Sequence, residues 1–69
     1  MSYAIKDSRF PYCVLRATAE NNTAIVELKG TTILVEHLVL IDSIMSDRLF
    51  HSCSIDYNTS TGHLQLTYW

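Results

Sequence analysis

The chain has 69 residues, of which 48% are hydrophobic and 17% are charged, and its net charge is −2. Its five Lys and Arg residues are scattered, which disfavours non-specific nucleic-acid binding, because such binding needs clustered positive charge. A chain of this length is expected to form one domain, residues 1–69, with a core so small that a monomer is only marginally stable. High apolar content with few charges therefore predicts self-association.

The sequence also bears on the cellular compartment. No positively charged segment followed by an apolar run is present near the start, which argues against a signal peptide. No apolar run is long enough to span a membrane. We therefore expect a cytoplasmic protein, located in the host cytoplasm if it is viral, with its two cysteines, Cys13 and Cys53, reduced.

Short segments rich in β-branched and aromatic residues, bounded by Asn, Ser, Thr and Gly, predict strands that pair as two hairpins. The four predicted strands are Pro11–Ala19, Thr23–Lys29, Phe50–Tyr57 and His63–Trp69. The first hairpin turns at Asn21-Asn22, since Asn tolerates the positive φ of a tight turn. Residues 1–10 are expected to be a flexible lead-in or an edge strand, because Pro11 interrupts any hydrogen-bonded ladder.

Residues 31–50 separate the two hairpins and are the most apolar part of the chain. Placed on a helix, they gather one broad apolar face: Leu34, Leu38, Ile41, Met45 and Leu49. The opposite face is polar: Glu36, Ser43 and Asp47. Thr31 or Thr32 is the expected N-cap. The competing interpretation is a strand of a small all-β barrel, which residues 33–42 favour by their β-branched content but oppose by lacking a clean polar face.

The predicted fold is α+β with the order β-β-α-β-β, in which a four-stranded antiparallel sheet carries one helix on one face. The alternative is the all-β barrel. Alternation assigns one set of side chains to the helix face: Cys13, Leu15, Ala17, Ala19, Ala24, Val26, Leu28, His51, Cys53, Ile55, Tyr57, Leu64, Leu66 and Tyr68.

The opposite face of the sheet then mixes aromatic, aliphatic and polar residues: Tyr12, Val14, Arg16, Ile25, Glu27, Gln65, Thr67 and Trp69. Such a mixture is typical of protein interfaces, whose energetic centres are enriched in Trp, Tyr and Arg. The predicted interface residues on this face are Tyr12, Val14, Arg16, Ile25 and Trp69.

His37 and Arg48 complete the predicted binding residues, because both fall within the apolar arc of the helix. They lie about 20° apart on the helical wheel. One interpretation is a polar pair that contacts a partner. The other is a hydrogen-bonded His at the margin of the apolar face and an Arg whose aliphatic stem covers apolar surface.

The sequence contains none of the familiar motifs of catalytic, phosphate-binding or zinc-binding sites. The glycines, Gly30 and Gly62, form neither a phosphate loop nor a Gly-x-Ser-x-Gly elbow. His51-x-Cys53 places two ligand types on one strand face, but the paired spacings of zinc sites do not occur. We therefore predict that the protein is not an enzyme, has no catalytic residues, and holds no cofactor and no metal.

Three functional hypotheses remain. The first is a non-catalytic protein-binding or inhibitory module that acts as a homodimer or small homo-oligomer, and its size and composition are shared with phage-encoded inhibitors of host proteins. The alternative is an oligomer that sequesters a small ligand or nucleotide between subunits, with Arg16, Arg48, Tyr12 and His37 as contacts. The third is an all-β nucleic-acid-binding module. A membrane is not an expected partner.

Overall fold

A computed structural model of the protein describes residues 2–69. The elements are β1 (Tyr3–Ala4), β2 (Val14–Glu20), β3 (Thr23–Leu28), α1 (Val35–Asp47), β4 (Cys53–Asn58) and β5 (His63–Tyr68). The strands form one antiparallel sheet in the order β1-β2-β3-β5-β4. The α+β fold is confirmed, the sheet has five strands where four were predicted, and the all-β barrel is wrong because residues 35–47 are helical.

The β2–β3 hairpin forms where the sequence predicts it. Asn21 and Asn22 adopt φ values of 51° and 65°, which places both central residues of the turn in the left-handed region. A two-residue turn of this kind has a twist that matches the twist of the flanking strands. Glu20 therefore pairs directly with Thr23, and the strand register follows from there.

The additional strand comes from the first residues of the chain. Tyr3 pairs with Ala19 and Ala4 pairs with Thr18, so β1 forms the edge of the sheet beside β2. Ile5 continues this alignment, because its N–H donates to the carbonyl of Ala17 at 2.8 Å and its side chain is buried. The apolar side chain of Ile5 thereby closes the core at this edge.

One contiguous core fills the space between the sheet and α1. Its buried members are Ile5, Ala17, Ala19, Ala24, Val26, Leu28, Ile41, Met45, Leu66 and Tyr68. The inward set predicted for β3 and the Leu66 and Tyr68 positions of β5 are confirmed. The small members of this core lie on β2 and at the start of β3, and the larger ones, apart from Ile5, lie towards the end of β3 and on β5 and α1.

A register shift between Val14 and Arg16 corrects two predictions on β2. The bulge pairs Val14 with the buried Leu28 and packs it against the core, so the placement of Val14 on the outer face is wrong. The same shift leaves Leu15 exposed, although it was assigned to the helix face. An extra residue in one strand changes which side its neighbours face, and simple alternation does not include such a change.

The helix is shorter at both ends than predicted. It begins after Leu34, whose extended backbone (φ −72°, ψ 141°) ends the preceding loop without a side-chain cap, so the Thr31 or Thr32 cap is wrong. β-Branched residues before this point favour extended backbone. Leu34 and Leu49 consequently lie outside the helix and are exposed, whereas Ile41 and Met45 are buried as expected and Leu38 is half-buried.

Strand β4 lies beyond the cover of the helix. Cys53, Ile55 and Tyr57 pair with Tyr68, Leu66 and Leu64 and therefore share the helix face of the sheet. All three are nevertheless exposed. Their predicted face is right, but their predicted burial is wrong, because the buried cluster contains no β4 residue within the described part of the chain.

Arg9 fastens the segment after β1 to the end of the helix, and this contact gives a pH-dependent prediction. Its guanidinium donates to Asp7 at 2.8 Å and to Asp47 at 2.9 Å. The side-chain hydrogen bond from Arg9, with a backbone hydrogen bond added, lowers the pKa of Asp7 from 3.8 to about 2. The folded pKa lies below the unfolded one, so the Asp7 carboxylate stabilises the fold above about pH 4 and this contribution is lost as pH falls towards 2.

An NMR titration of the Asp7 carboxyl carbon measures this pKa directly. Arg9→Met should return the pKa towards its ordinary value, whereas Arg16→Met, which removes a different surface ion pair, should leave it unchanged. An Asp7 pKa that does not change in Arg9→Met contradicts this account.

Candidate protein-binding surface

A cleft of about 440 Å³ lies at one end of the molecule, and its exposed lining includes Glu20, Asn21 and Asn22 of the β2–β3 turn. Four further exposed residues line it. We call them the end patch: Tyr3, Arg48, Leu49 and Trp69. They meet because β1, the turn after α1 and the residue following β5 all reach the same end as the Asn21-Asn22 turn. The end patch combines two aromatic rings, one aliphatic side chain and one guanidinium.

The backbone that presents Leu49 is a Schellman motif. The Phe50 N–H donates to the Met45 carbonyl at 3.1 Å, and the Leu49 N–H donates to the Ser46 carbonyl at 3.0 Å. These two bonds satisfy carbonyls that the end of a helix otherwise leaves without intrahelical partners. The motif requires a left-handed residue, and Leu49 occupies this position with φ 70°.

Leu49 is an unusual residue for this position. Glycine is usual there, because a Cβ in the left-handed region meets the backbone and costs about 1 kcal/mol or more. No packing in the monomer offsets that strain, since 79% of the Leu49 surface is exposed. A strained backbone that displays an apolar side chain to solvent suggests that the side chain has a use outside the monomer.

Arg48 lies at the rim of the same cleft. It is the C-cap of α1, and its guanidinium donates to the Lys6 carbonyl at 3.4 Å. Among residues 2–69 it makes no ion pair. Its charge helps to lower the pKa of Asp7 through space, and its guanidinium can still donate to an acceptor on a partner. His37 lines a different cleft, so the two residues predicted as a polar pair do not come together.

The outer face of the sheet is more polar than predicted. The residues that share it are Ala4, Arg16, Thr18, Glu20, Thr23, Ile25, Glu27, Ser54, Asp56, Asn58, His63, Gln65 and Thr67. Arg16 and Glu27 face each other across β2 and β3 with an ion pair of 2.9 Å. Ile25 is the large apolar residue exposed on this face. Isolated exposed apolar residues are ordinary on protein surfaces, so this face is a weaker interface candidate than the end patch.

Two of the predicted outer-face residues lie elsewhere. The Tyr12 ring packs edge-on against the His37 ring, with centroids 5.3 Å apart, and so lies on the helix side of the molecule. Trp69 follows β5, joins the end patch and is 53% exposed. The sequence placed Arg48 and Trp69 in the binding set but on separate surfaces, and it gave no signal for Tyr3 or Leu49.

A second apolar surface runs along β4, and we call it the open strip: Val35, Val39, Ile55 and Tyr57. Val35 and Val39 lie on the side of α1 that also carries Asp42. Asp42 reaches towards β5, since it accepts a hydrogen bond from the Tyr68 hydroxyl at 2.5 Å. The exposed valines therefore border the uncovered helix face of β4.

The hydrogen bond between Tyr68 and Asp42 closes the core beside the open strip. Burial raises the pKa of Tyr68 well above its usual range, and the hydrogen bond to Asp42 raises it further. Tyr68 therefore stays protonated at physiological pH and acts as a donor. Its role here is to hold α1 to β5, which fixes how far the helix extends over the sheet.

Comparison with known proteins yields no family, because no family model, no curated protein and no solved structure matches this chain. Within residues 2–69, no three His, Cys, Asp or Glu side chains are grouped closely enough to hold a metal ion. In the same residues, no helix is long and apolar enough to cross a membrane.

Substitution of Leu49 tests whether its conformation is strained. Leu49→Gly relieves the left-handed backbone and should raise the free energy of unfolding by about 0.5–1 kcal/mol. Leu49→Ala keeps a Cβ in the same conformation and should leave stability close to that of the wild type. Urea denaturation measures both. If Leu49→Gly is no more stable than Leu49→Ala, the strain argument is wrong; if Leu49→Ala is clearly less stable than the wild type, the Leu49 side chain packs in the monomer.

Proposed function

We propose that this protein is a non-catalytic protein-binding module that acts as a small homo-oligomer and binds another protein through its end patch. The observation that carries this proposal is Leu49, an apolar residue exposed at a backbone position that favours glycine, beside Trp69 and Tyr3. A residue of this kind destabilises the monomer and becomes favourable only when a partner buries it.

The composition of the end patch supports a protein as the occupant. Trp, Tyr and Arg are the residues most enriched at the energetic centres of protein interfaces. Arg48 at the rim fits a carboxylate or a backbone carbonyl of the partner, while Leu49 and Trp69 fit an apolar side chain. The partner surface that we propose is therefore apolar at its centre and acidic at its edge.

A second copy of this chain is the proposed occupant of the open strip. β4 is an edge strand of six residues that pairs with β5 in unbroken register, and it contains neither Pro nor Lys. Such an edge offers unpaired backbone groups to another strand. An antiparallel β4–β4 pair would place Ile55 and Tyr57 of each copy beside Val35 and Val39 of the pair, which buries apolar surface from both subunits.

The small-ligand alternative has less support. Its four contact residues divide among three regions: Arg16 on the outer face, Arg48 in the end patch, and Tyr12 with His37 at a third site. One subunit therefore does not bring them together, and a shared ligand site would need contributions from several copies. The nucleic-acid hypothesis depended on a strand where residues 35–47 form a helix.

We further propose that the protein acts as an inhibitor and that it works in the cytoplasm. A module without a catalytic motif acts by occupying a partner's surface, which is how an inhibitor works, and a phage inhibitor of a host protein is the biological setting we propose. Cys13 and Cys53 are both free thiols. This suits the reducing cytoplasm, which we propose as the compartment.

Charge placed on β4 tests the homodimer. Ile55→Lys puts an ammonium group on the helix face of the edge strand and should convert the dimer to a monomer, because edge lysines oppose strand pairing. Thr59→Lys adds the same charge in the following turn and should not change the mass. Light scattering after size exclusion at tens of micromolar measures the oligomer. A wild-type monomer in this range contradicts the proposed dimer.

Removal of end-patch side chains tests partner binding. Leu49→Ala and Trp69→Ala should each reduce capture of a specific protein from lysate of the source cells by about tenfold or more, since central interface residues contribute above about 1.4 kcal/mol. Leu15→Ala is the control, because Leu15 is an exposed apolar residue outside the end patch.

Capture is measured by quantitative mass spectrometry, with the oligomeric mass of each variant determined in parallel. Equal loss of capture in all three variants indicates non-specific apolar binding and contradicts the proposal. Loss of the dimer in Leu49→Ala assigns the end patch to self-association and refutes a separate partner surface.

A further inference from the structure

The cleft that His37 lines, of about 330 Å³, lies on the side of α1 away from the open strip. Cys13 lies in its wall beside His37, with the Cys13 Sγ 3.7 Å from the His37 Nδ1. Tyr12 holds the imidazole by an edge-to-face contact with an interplanar angle of 85°. The thiol and the imidazole therefore have a fixed relation at the surface of a cavity large enough for a small molecule.

The cleft supplies what a thiol needs in order to act as a nucleophile. The His37 Nδ1 lies within hydrogen-bonding reach of the Cys13 Sγ and accepts the thiol proton in the tautomer that carries its own proton on Nε2; thiols paired with imidazole are a common activated nucleophile. Lys29 lines the same cleft and attracts anionic groups, while Ile33 and Leu34 provide apolar wall. A molecule that is both anionic and short-chained fits these surroundings.

The other cysteine lies in a contrasting environment. The Cys53 side chain is more exposed than that of Cys13, but it lies beside Tyr68 and Asp42. Burial raises the pKa of the Cys53 thiol; a hydrogen bond with Tyr68 opposes this rise, and the nearby Asp42 carboxylate adds to it. Exposure alone ranks Cys53 as the more reactive thiol, and the chemical neighbours of each cysteine reverse that order.

We propose that Cys13 is a modification site that forms a mixed disulfide with anionic low-molecular-weight disulfides, and that His37 and Lys29 make it faster than Cys53. His37 takes the proton from the Cys13 thiol, and the resulting sulfur attacks one sulfur of the reagent. The Cys13 S–S bond forms as the reagent S–S bond breaks. The leaving thiolate receives the proton from His37, so Cys13 is oxidised and half of the reagent is reduced to thiol.

Modification at Cys13 has a structural consequence. Cys13 packs against the core at the start of β2, and its carbonyl accepts a hydrogen bond from the Lys29 N–H at 2.8 Å. An adduct fills the cleft between Tyr12 and the first turn of α1. It also adds the negative charge of the reagent to a surface that otherwise presents Lys29.

Two single-thiol variants, Cys13→Ser and Cys53→Ser, isolate each reaction. Each is treated with glutathione disulfide, and the rate of adduct formation is followed by intact mass spectrometry. We expect the variant that retains Cys13 to react at least tenfold faster than the variant that retains Cys53. After unfolding in urea the two rates should become similar, because the neighbouring groups are then lost.

Further variants in the Cys53→Ser background identify the groups responsible. His37→Gln should slow the reaction with glutathione disulfide at least fivefold, whereas His51→Gln, which changes a histidine near position 53, should not alter it. Lys29→Met should slow reaction with the anionic glutathione disulfide but not with the cationic disulfide cystamine. Circular dichroism confirms that each variant is folded.

Two results overturn this inference. The first is a Cys53 rate equal to or above the Cys13 rate in the folded protein. The second is a Cys13 rate that His37→Gln leaves unchanged, which would reduce the thiol–imidazole contact to a structural hydrogen bond. If only the Lys29→Met result fails, the preference for anionic reagents is wrong while Cys13 remains the modified thiol.

Discussion

One helix can cover only part of a five-stranded sheet, and this limit determines which apolar residues of the sheet stay exposed. A helix is about 10 Å across, and five strands spaced about 4.8 Å apart extend about 19 Å between the outermost axes. One helix therefore leaves part of one face open. The bond from Tyr68 to Asp42 fixes α1 over β5, so the uncovered part is the helix face of β4. The open strip lies along this uncovered part of the sheet.

The two edges of the sheet also differ in how much of the strand is covered by other parts of the chain. At the β1 edge, Ile5 and Phe10 pack against the core, and Arg9 fastens the segment to Asp47. The strand there has only two residues, which limits pairing with another chain. At the β4 edge the chain provides neither cover nor a shortened strand. This asymmetry would direct the proposed self-association to a single edge, which would give a closed dimer in preference to an open chain of copies.

Local patterns predicted the parts of this fold that depend on neighbouring residues. The Asn21-Asn22 turn and the inward faces of β3 and β5 follow from turn chemistry and alternation, and the structure has them as predicted. The failures involve long-range geometry. A bulge reverses the side on which Val14 lies, and the limited width of the helix exposes Ile55. The end patch was missed because residues far apart in sequence form it, and the positive φ of Leu49 leaves no trace in a hydropathy pattern.

The strain at Leu49 is large in comparison with the total free energy of unfolding expected for so small a domain. Domains are stabilised by about 0.05–0.15 kcal/mol per residue, which gives this chain on the order of 3–10 kcal/mol. A left-handed Leu that costs about 1 kcal/mol therefore removes a substantial fraction. The proposed self-association through the open strip would oppose this loss, because binding that favours the folded state adds stability by mass action. Assembly at β4 would thus make the binding residue at the other surface tolerable, and the two surfaces would be linked energetically without any contact between them.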